Sequence, residues 1–295
     1  MKDAVLASFL TLLAAVGGCP SEPKSPLGLI PLSDRRPADP NGDGSDGRLR
    51  MILLVQLHMS TIEAPVGMVS SSEEIWSYLD EERVKSVRSA GLSRNGLRVG
   101  LGKHDSWTDV ARILQRLTGR TVVSFKTAAA PHVPVPIRFG GNRPGETIYT
   151  SYDDRTFSLR TYPPGNNVLN ITCTLDPDDP STIVITGVPQ IHTVRRKTKV
   201  IMTAGGKMPV ERPIVLSFHA LTFQLSMASK DFLVIGPSAA ARDTLSLGHR
   251  FLVKNKKGLE FETLLVIMPE VAYLPPHPGK GADQEAGRAE GNQGR

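Results

Sequence analysis

The clearest candidate for chemistry is Cys19, near the start of the chain. An apolar run from Ala4 to Val16 precedes it, and Lys2 precedes that run. A run of about a dozen apolar residues has the size of a signal-peptide core and is shorter than the roughly 20 residues that cross a bilayer. The sequence therefore predicts a signal peptide over residues 1–18 that exports the chain, with a nucleophilic thiol directly behind it.

The residues around this thiol form a recognisable pattern. Val16, Gly17, Gly18 and Cys19 resemble the lipobox of bacterial lipoproteins, in which an aliphatic residue and two small residues precede a cysteine that becomes lipidated. The resemblance implies diacylglycerol on Cys19 and a lipid anchor in the cell envelope, on the periplasmic face of the inner or outer membrane. An ordinary secretory signal that is cut nearby remains the alternative.

A glycine-rich stretch at residues 140–147 also has the spacing of a known chemical motif. Gly140 and Gly145 have the spacing of a Walker A loop, but Glu146 stands where a phosphate-binding lysine is needed. The residues that follow favour a strand over the helix whose N-terminus would hold phosphate. The stretch is therefore interpreted as a turn, and nucleotide binding is excluded.

The remaining candidates for catalysis or metal binding lack the required spacing. Cys173 lies in the apolar register of a strand, where burial raises a thiol pKa and favours packing over reactivity. No two histidines have the spacing of a metal-binding pair, and they lie far apart in the sequence, at His58, His104, His132, His192, His219, His249 and His277. The sequence predicts no catalytic residue, no metal and no cofactor.

Basic residues exceed acidic ones, and two clusters account for much of the difference. Lys and Arg number 35 against 29 Asp and Glu, which gives a net charge of +6 and favours anionic partners. Neither cluster has the interleaved aromatic residues that stack on bases, so nucleic-acid binding is not expected. Both are predicted to be exposed hairpin tips, either simply solvated or in contact with anionic lipid, wall polymer or an acidic partner. They are Arg195, Arg196, Lys197 and Lys199, and then Lys254, Lys256 and Lys257.

The composition indicates a β-rich architecture. Aromatic residues make up only 5% of the chain, whereas 27 glycines and 23 prolines indicate many turns between short elements. The predicted class is α+β, with a small strand-helix-strand-helix-strand sandwich followed by a mainly antiparallel β domain. The predicted segments are a signal peptide at 1–18, a tether at 19–48, the α+β domain at 49–127, the β domain at 146–274 and a disordered tail at 275–295.

Hydrophobic periodicity places the elements of the first domain. An apolar strand covers Arg50–Leu57, and a capping-box pattern at Ser71 predicts a helix through Ile75, Trp76, Leu79 and Val84. A turn and strand cover Asn95–Leu101. A second helix carries Trp107, Val110, Ile113, Leu114 and Leu117, and a strand over residues 121–125 follows it.

In the second domain the apolar period changes to two, which is typical of half-buried antiparallel strands. One such strand carries Leu169, Ile171, Cys173 and Leu175, and another carries Leu221, Phe223, Leu225 and Met227. The segment Glu262–Met268 has no polar face, so it is predicted to lie in the interior of a sheet.

Four segments resemble, in their order, the β-domain of bacterial secretins. They are Phe157–Pro163, Ile183–Ile191, Asp231–Gly236 and Glu262–Val271, the last with the secretin pattern of a glutamate, an aliphatic run and a proline. The segment Asn95-Gly-Leu-Arg-Val-Gly also resembles uncharacterised planctomycete lipoproteins. These resemblances imply a β-rich envelope protein, and neither supplies a functional residue for this chain.

Two classes of function therefore remain open. The leading hypothesis is a lipid-anchored, non-enzymatic envelope protein that binds or scaffolds other envelope components, as an oligomer or in a secretin-like export assembly. The alternative is an exported enzyme or ligand-binding lipoprotein whose site comes from residues distant in sequence. An exposed sheet edge or apolar face would favour the first class, and a concave pocket with convergent polar groups would favour the second.

Overall fold

The computed structural model describes residues 52–86, 89–118, 124–152, 155–203 and 206–274, which belong to one compact unit. These residues form mostly antiparallel β structure with short helices. In chain order the elements are β1 Ile52–Pro65, β2 Leu79–Asp80, β3 Lys85–Ser86, α1 Ser89–Arg94, β4 Leu97–Gly102, α2 Trp107–Thr118, β5 Ser124–Ala129, β6 Val135–Arg138, β7 Glu146–Ser151, β8 Phe157–Tyr162, β9 Gly165–Leu175, β10 Thr182–Thr203, β11 Gly206–Ser217, β12 Phe223–Ala228, β13 Phe232–Pro237, α3 Leu247–Leu252, β14 Val253–Lys256 and β15 Leu259–Leu274.

The strands form two large sheets and one hairpin. The larger sheet has the order β2-β4-β13-β15-β1-β5, and β14 also pairs with β15. The smaller sheet has the order β3-β12-β10-β9-β6, and β11 also pairs with β10. Strands β7 and β8 form a separate two-stranded hairpin. All of these strand pairs are antiparallel, as the alternating pattern of the second half predicted.

The main core lies between the two sheets. Leu57 and Met59 of β1 belong to the same buried cluster as Ile171 of β9 and Ile183 and Ile185 of β10. Because neighbouring residues of a strand point to opposite faces, only every second residue of these strands faces this core. The predicted strands β9, β12 and β15 are confirmed, except that Leu221 lies in a 3-10 turn before β12. Strands β9 and β12 bury their apolar face in this core, whereas β15 buries only Leu265 and Ile267 here.

A second core covers the opposite face of the larger sheet. Val110 and Leu114 of α2 pack there with Val234 of β13 and with Leu264 and Val266 of β15. Strand β15 therefore has one apolar face in each core, which explains why its sequence has no polar face. Both its interior position and the helix α2 are confirmed as predicted.

The predicted helix that starts at Ser71 is wrong. A single 3-10 turn covers Trp76–Tyr78, and Leu79 already belongs to strand β2, where it pairs with Gly102. Trp76 is buried in the second core and lies beneath the guanidinium of Arg98, 4.5 Å from its ring centre. These contacts across the fold outweigh the local helical pattern, whose contribution per residue is small.

A separate N-terminal sandwich is not confirmed, because strands from both halves of the chain share the larger sheet. Strand β1 pairs with β15 over its whole length, and β13 pairs with β4. Strand β1, strand β4, helix α2 and strand β5 follow one another as predicted, but a 3-10 turn replaces the predicted first helix, and β13 and β15 lie between β1 and β4. The first half therefore buries its apolar faces against strands that come late in the sequence.

Candidate self-association surface

The most exposed part of the described chain is a long two-stranded ribbon. Strand β10 pairs with β9 as far as Thr193, and beyond that residue its described pairing is with β11 alone. The register between β10 and β11 shifts between His192 and Arg196, and register shifts of this kind locally increase the twist and bend of a strand. Residues Arg196–Thr203 and Gly206–Pro213 are called here the projecting ribbon, which extends roughly 25 Å at the rise per residue of a strand.

The backbone of the projecting ribbon has two open edges. Each strand uses one side for hydrogen bonds to the other, and among the described residues no further strand pairs with either outer side. An isolated two-stranded hairpin is marginally stable in water, and open strand edges are templates for pairing with another chain. The ribbon therefore lacks the sheet neighbours that stabilise the other long strands of this fold.

The far end of the projecting ribbon exposes apolar side chains on both faces. Val200 and Met202 lie on one face, and they are 58% and 74% exposed. Met208 on the opposite face is also exposed, and Ile201 is its direct cross-strand neighbour. Contiguous exposed apolar surface marks interaction sites in soluble domains.

The near end of the projecting ribbon is strongly basic. Four of the five cations of the ribbon lie at this end, which is the end next to the sheet: Arg196, Lys197, Lys199 and Arg212. The ribbon carries one acid, Glu211. Lys197 lies directly opposite Arg212, and like charges in that position destabilise a strand pair. The basic run Arg195–Lys199 is therefore not a hairpin tip as predicted, because it lies inside the 22-residue strand β10.

The second predicted basic run has carboxylate partners within the fold. Lys254 and Lys256 of β14 both donate hydrogen bonds to the carboxylate of Glu63 on β1, Lys254 at 3.2 Å. Burial raises the pKa of Glu63, but the bonds from Lys256 and Lys254 outweigh it, so the pKa is lowered. Lys257, with a positive φ of 54°, lies in the exposed turn between β14 and β15, and this run is the predicted hairpin tip.

A second exposed apolar strip lies on the β7–β8 hairpin. Phe157 and Leu159 of β8 point to the same face and are 66% and 55% exposed. Tyr149 lies opposite Leu159, and its ring packs against that of Phe157 with centroids 5.6 Å apart. The backbone N–H of Tyr149 donates a hydrogen bond to the carbonyl oxygen of Leu245 at 2.7 Å. The strip is thereby held at a fixed position on the fold.

Sequence reasoning missed both apolar surfaces. Val200, Met202 and Met208 all follow the lysine-rich run in the sequence. The sequence signal for the strand was that apolar residues continue after the run ends. The charged run was interpreted as a turn, which hid the strand that carries it. Phe157 and Leu159 entered the prediction only through the secretin-like order of segments.

The prediction that Cys173 packs in the apolar core is confirmed. Cys173 is fully buried, and burial raises the pKa of its thiol to about 12. Within the described ranges, no three His, Cys, Asp or Glu side chains are close enough to hold a metal ion together. Those ranges also contain no helix that is both long and apolar enough to pass through a membrane. Val16, Gly17, Gly18 and Cys19 lie outside the described residues.

Comparison with known proteins gives only weak structural similarity, to secretin domains. No protein-family model matches the chain, and no curated protein matches it. The secretin-domain β-barrel of InvG from the Salmonella SPI-1 injectisome is 12% identical with a TM-score of 0.18, and the match covers 82% of this chain and 69% of that chain. The Vibrio cholerae type IV competence pilus secretin PilQ is 12% identical with a TM-score of 0.21, and the match covers 75% of this chain and 59% of that chain.

Proposed function

We propose that this chain is a non-enzymatic, lipid-anchored scaffold protein of the cell envelope that self-associates through its projecting ribbon. The observation that carries the proposal is the combination of open backbone edges with apolar side chains on both faces of the ribbon. A second copy of the same ribbon offers a complementary edge of equal length. Edge-to-edge pairing would turn two marginal hairpins into a wider sheet, which is the arrangement that stabilises strands elsewhere.

A second copy explains the ribbon better than direct insertion of a single ribbon into lipid. Every unpaired backbone N–H or C=O group that enters hydrocarbon costs several kcal/mol, and a single ribbon has two open edges. Pairing with further copies satisfies those groups. Burial of one large apolar side chain contributes about 1.5–3 kcal/mol, so the exposed valine and methionines of the ribbon supply a driving force of useful size.

The basic end of the ribbon sets a condition on this association. Lys197, Lys199 and Arg212 of one copy would approach the same residues of another, and like charges repel. Salt screens such repulsion, and the Debye length that sets the range of the repulsion is about 8–10 Å near physiological ionic strength. Anionic lipid or wall polymer near the ribbon would have the same effect, which is the role we propose for the first part of the predicted anionic-partner patch, Arg195, Arg196, Lys197 and Lys199. Its second part, Lys254, Lys256 and Lys257, lies outside the ribbon, and Lys254 and Lys256 bind Glu63.

The lipid anchor is supported by the pattern Val16-Gly17-Gly18-Cys19. In cells, the chain is expected to incorporate labelled fatty acid and to sediment with membranes. The Cys19→Ser variant is expected to lose the label, because serine does not take the diacylglycerol. Cys173→Ser is the matched control, since that thiol is buried, and it should keep the label. Equal labelling of the two variants would contradict the anchor.

The four secretin-like segments support a place for the chain in a secretin-like export or envelope assembly. Their order in the sequence is similar to the order of the β-domain segments, and all four lie on strands, in β8, β10, β13 and β15. In such an assembly the anchor would hold the copies at one membrane while the ribbons pair.

The proposal is tested by paired substitutions on the ribbon. Replacing both Val200 and Met202 by serine is expected to weaken self-association at least tenfold, because two apolar contacts are lost while the charge of the ribbon stays the same. The control replaces Val133 and Leu259, which are also exposed but lie outside the ribbon. Sedimentation equilibrium of each purified chain measures the association constant.

Neither pair of substitutions is buried. At a protein concentration where the wild type is a single copy, both variants are therefore expected to unfold at the temperature of the wild type. Loss of association in the ribbon variant alone supports the proposal. Equal association constants for the ribbon variant and the wild type would show that another surface joins the copies.

A further inference from the structure

A second site, separate from the projecting ribbon, lies where the loop over residues 140–147 meets α3 and β14. It is a cleft of about 810 Å³, which is within the range of pockets that hold small molecules. Four cations and two carboxylates are among the side chains that line it, namely Arg143, Arg250, Lys254, Lys256, Glu146 and Glu260. We call this site the basic cleft.

The two arginines of the basic cleft share one carboxylate without a close contact to it. Arg143 Nη1 and Arg250 Nε each lie 3.8 Å from Glu146 Oε2. That distance exceeds the 2.7–2.9 Å of a charge-assisted hydrogen bond. The other oxygen of Glu146 accepts a hydrogen bond from Asn167 Nδ2 at 3.1 Å, so the carboxylate is held by a different residue.

Hydrogen-bonding capacity therefore remains open on both guanidinium groups. Arg250 Nε is buried and has no hydrogen-bond partner among the described residues. Arg143 donates one long bond, 3.4 Å, from Nη2 to the carbonyl oxygen of Val253. A buried unpaired donor costs free energy, and on a charged group the cost is larger. The geometry favours an acceptor that enters the cleft.

The charge balance of the cleft also favours an anion. Burial lowers the pKa of Arg143, and the nearby charge of Arg250 lowers it further, against the opposing effect of Glu146. Lys254 and Lys256, in contrast, already hold Glu63. Those two lysines share one carboxylate, and Glu146 and Glu260 are the carboxylates of the lining, so the four cations exceed these three acids by one charge. Neither arginine makes a close ion pair with Glu146, the carboxylate that they share.

The glycines of the loop leave space beside these arginines. A Cβ atom on Gly141 would meet no atom within 4 Å, and Gly140 has a positive φ of 86°. This is the stretch whose glycine spacing resembles a Walker A loop and whose Glu146 excludes that role. In the fold the required positive charge comes instead from Arg143 within the loop and from Arg250 on α3.

We propose that the basic cleft binds the phosphate group of a small phosphorylated molecule, with Arg143 and Arg250 as the groups that hold it. A guanidinium presents a planar fork that matches phosphate oxygens, and two forks from different segments suit a tetrahedral dianion better than a planar carboxylate. The volume of the cleft exceeds what one inorganic ion needs, so the ligand class is a phosphate ester. The phosphate group could belong to a soluble metabolite or to a lipid headgroup.

Isothermal titration of the full chain with glycerol phosphate tests the proposal, with acetate as the comparison. Saturable binding of glycerol phosphate is expected, at least tenfold tighter than acetate. Arg143→Gln and Arg250→Gln should each weaken it at least tenfold. Arg212→Gln on the ribbon removes the same charge from a distant strand and should leave the affinity unchanged. Vesicles containing phosphatidic acid, compared with neutral vesicles, distinguish the lipid source from the soluble one.

Glu146→Gln provides a test that misfolding cannot mimic. It removes the carboxylate that competes for both arginines and keeps an amide oxygen for Asn167, so the affinity for glycerol phosphate should rise several-fold. The proposal is overturned if the wild type shows no saturable binding, or if Arg212→Gln weakens binding as much as Arg250→Gln. It is also overturned if glycerol phosphate and acetate bind equally. Because Arg143 and Arg250 lie outside the ribbon, failure here would leave self-association unaffected.

Discussion

Replacing Gly248 by alanine is expected to lower the free energy of unfolding by about 3 kcal/mol or more. A Cβ atom at this position would lie 1.9 Å from the carbonyl oxygen of Gly96, which is impossible without moving backbone. Gly96 cannot move easily, because it has a positive φ of 82° and its own Cα faces Gly248. Chemical denaturation followed by circular dichroism measures the effect.

The contact between these glycines joins the ends of several elements, so its loss should affect the whole unit. Gly248 N–H donates to the carbonyl of Asn95 at 2.7 Å, and the buried side chain of Asn95 exchanges two hydrogen bonds with the backbone of Ser151. Gly141→Ala is the matched control, since its Cβ would meet open space, and its stability should stay within about 1 kcal/mol of the wild type. Equal stability of the two variants would refute the packing account.

Replacing Glu262 by alanine is the second change with a large expected effect. This carboxylate is buried at the start of β15 and accepts backbone hydrogen bonds from Gly67 at 2.9 Å and from Val69 and Ser70 at 3.0 Å, together with the hydroxyl of Ser70. Each donor that is left buried without a partner costs about 1–3 kcal/mol. We expect a total loss of about 3 kcal/mol or more.

The control for this change is Glu260→Ala on the same strand. Its side chain is exposed, so the stability should change by about 0.5 kcal/mol or less. Hydrogen exchange gives a more specific readout, because the amides of Val69 and Ser70 should lose protection in the Glu262 variant before the sheet amides do. Retained protection of those two amides would show that the loop is held by packing alone.

Elements that bury one regular face could be predicted from the sequence. The helix α2 and the strands β9 and β12 repeat their apolar positions at the period of their own geometry. Strand β15 could be predicted for a different reason, because its unbroken apolar run indicates a strand that is buried on both faces. The segment after Ser71 shows where that reasoning fails. It has a local helical pattern, but the backbone just before it is held by Glu262, which accepts a hydrogen bond from the amide of Val69, 193 residues away in the sequence. No local sequence pattern can indicate a hydrogen bond between residues that are so far apart in the chain.

The candidate surfaces were harder to predict, for two physical reasons. The ribbon combines lysines with apolar residues in one strand, and the charge run was taken as a turn because solvated charge is typical of turns. The basic cleft depends on Arg143 and Arg250, which come together only because the loop of residues 140–147 packs against α3. A site built from distant segments has no spacing that a single sequence can reveal.

The most direct test of the central claim is the mass of the purified full chain in solution, measured by sedimentation over a range of protein concentration and ionic strength. The ribbon account predicts species of two or more copies that dissociate on dilution. It also predicts that association strengthens as salt screens the repulsion between Lys197, Lys199 and Arg212 of neighbouring ribbons. A single-copy mass at every concentration and ionic strength would contradict self-association through the ribbon.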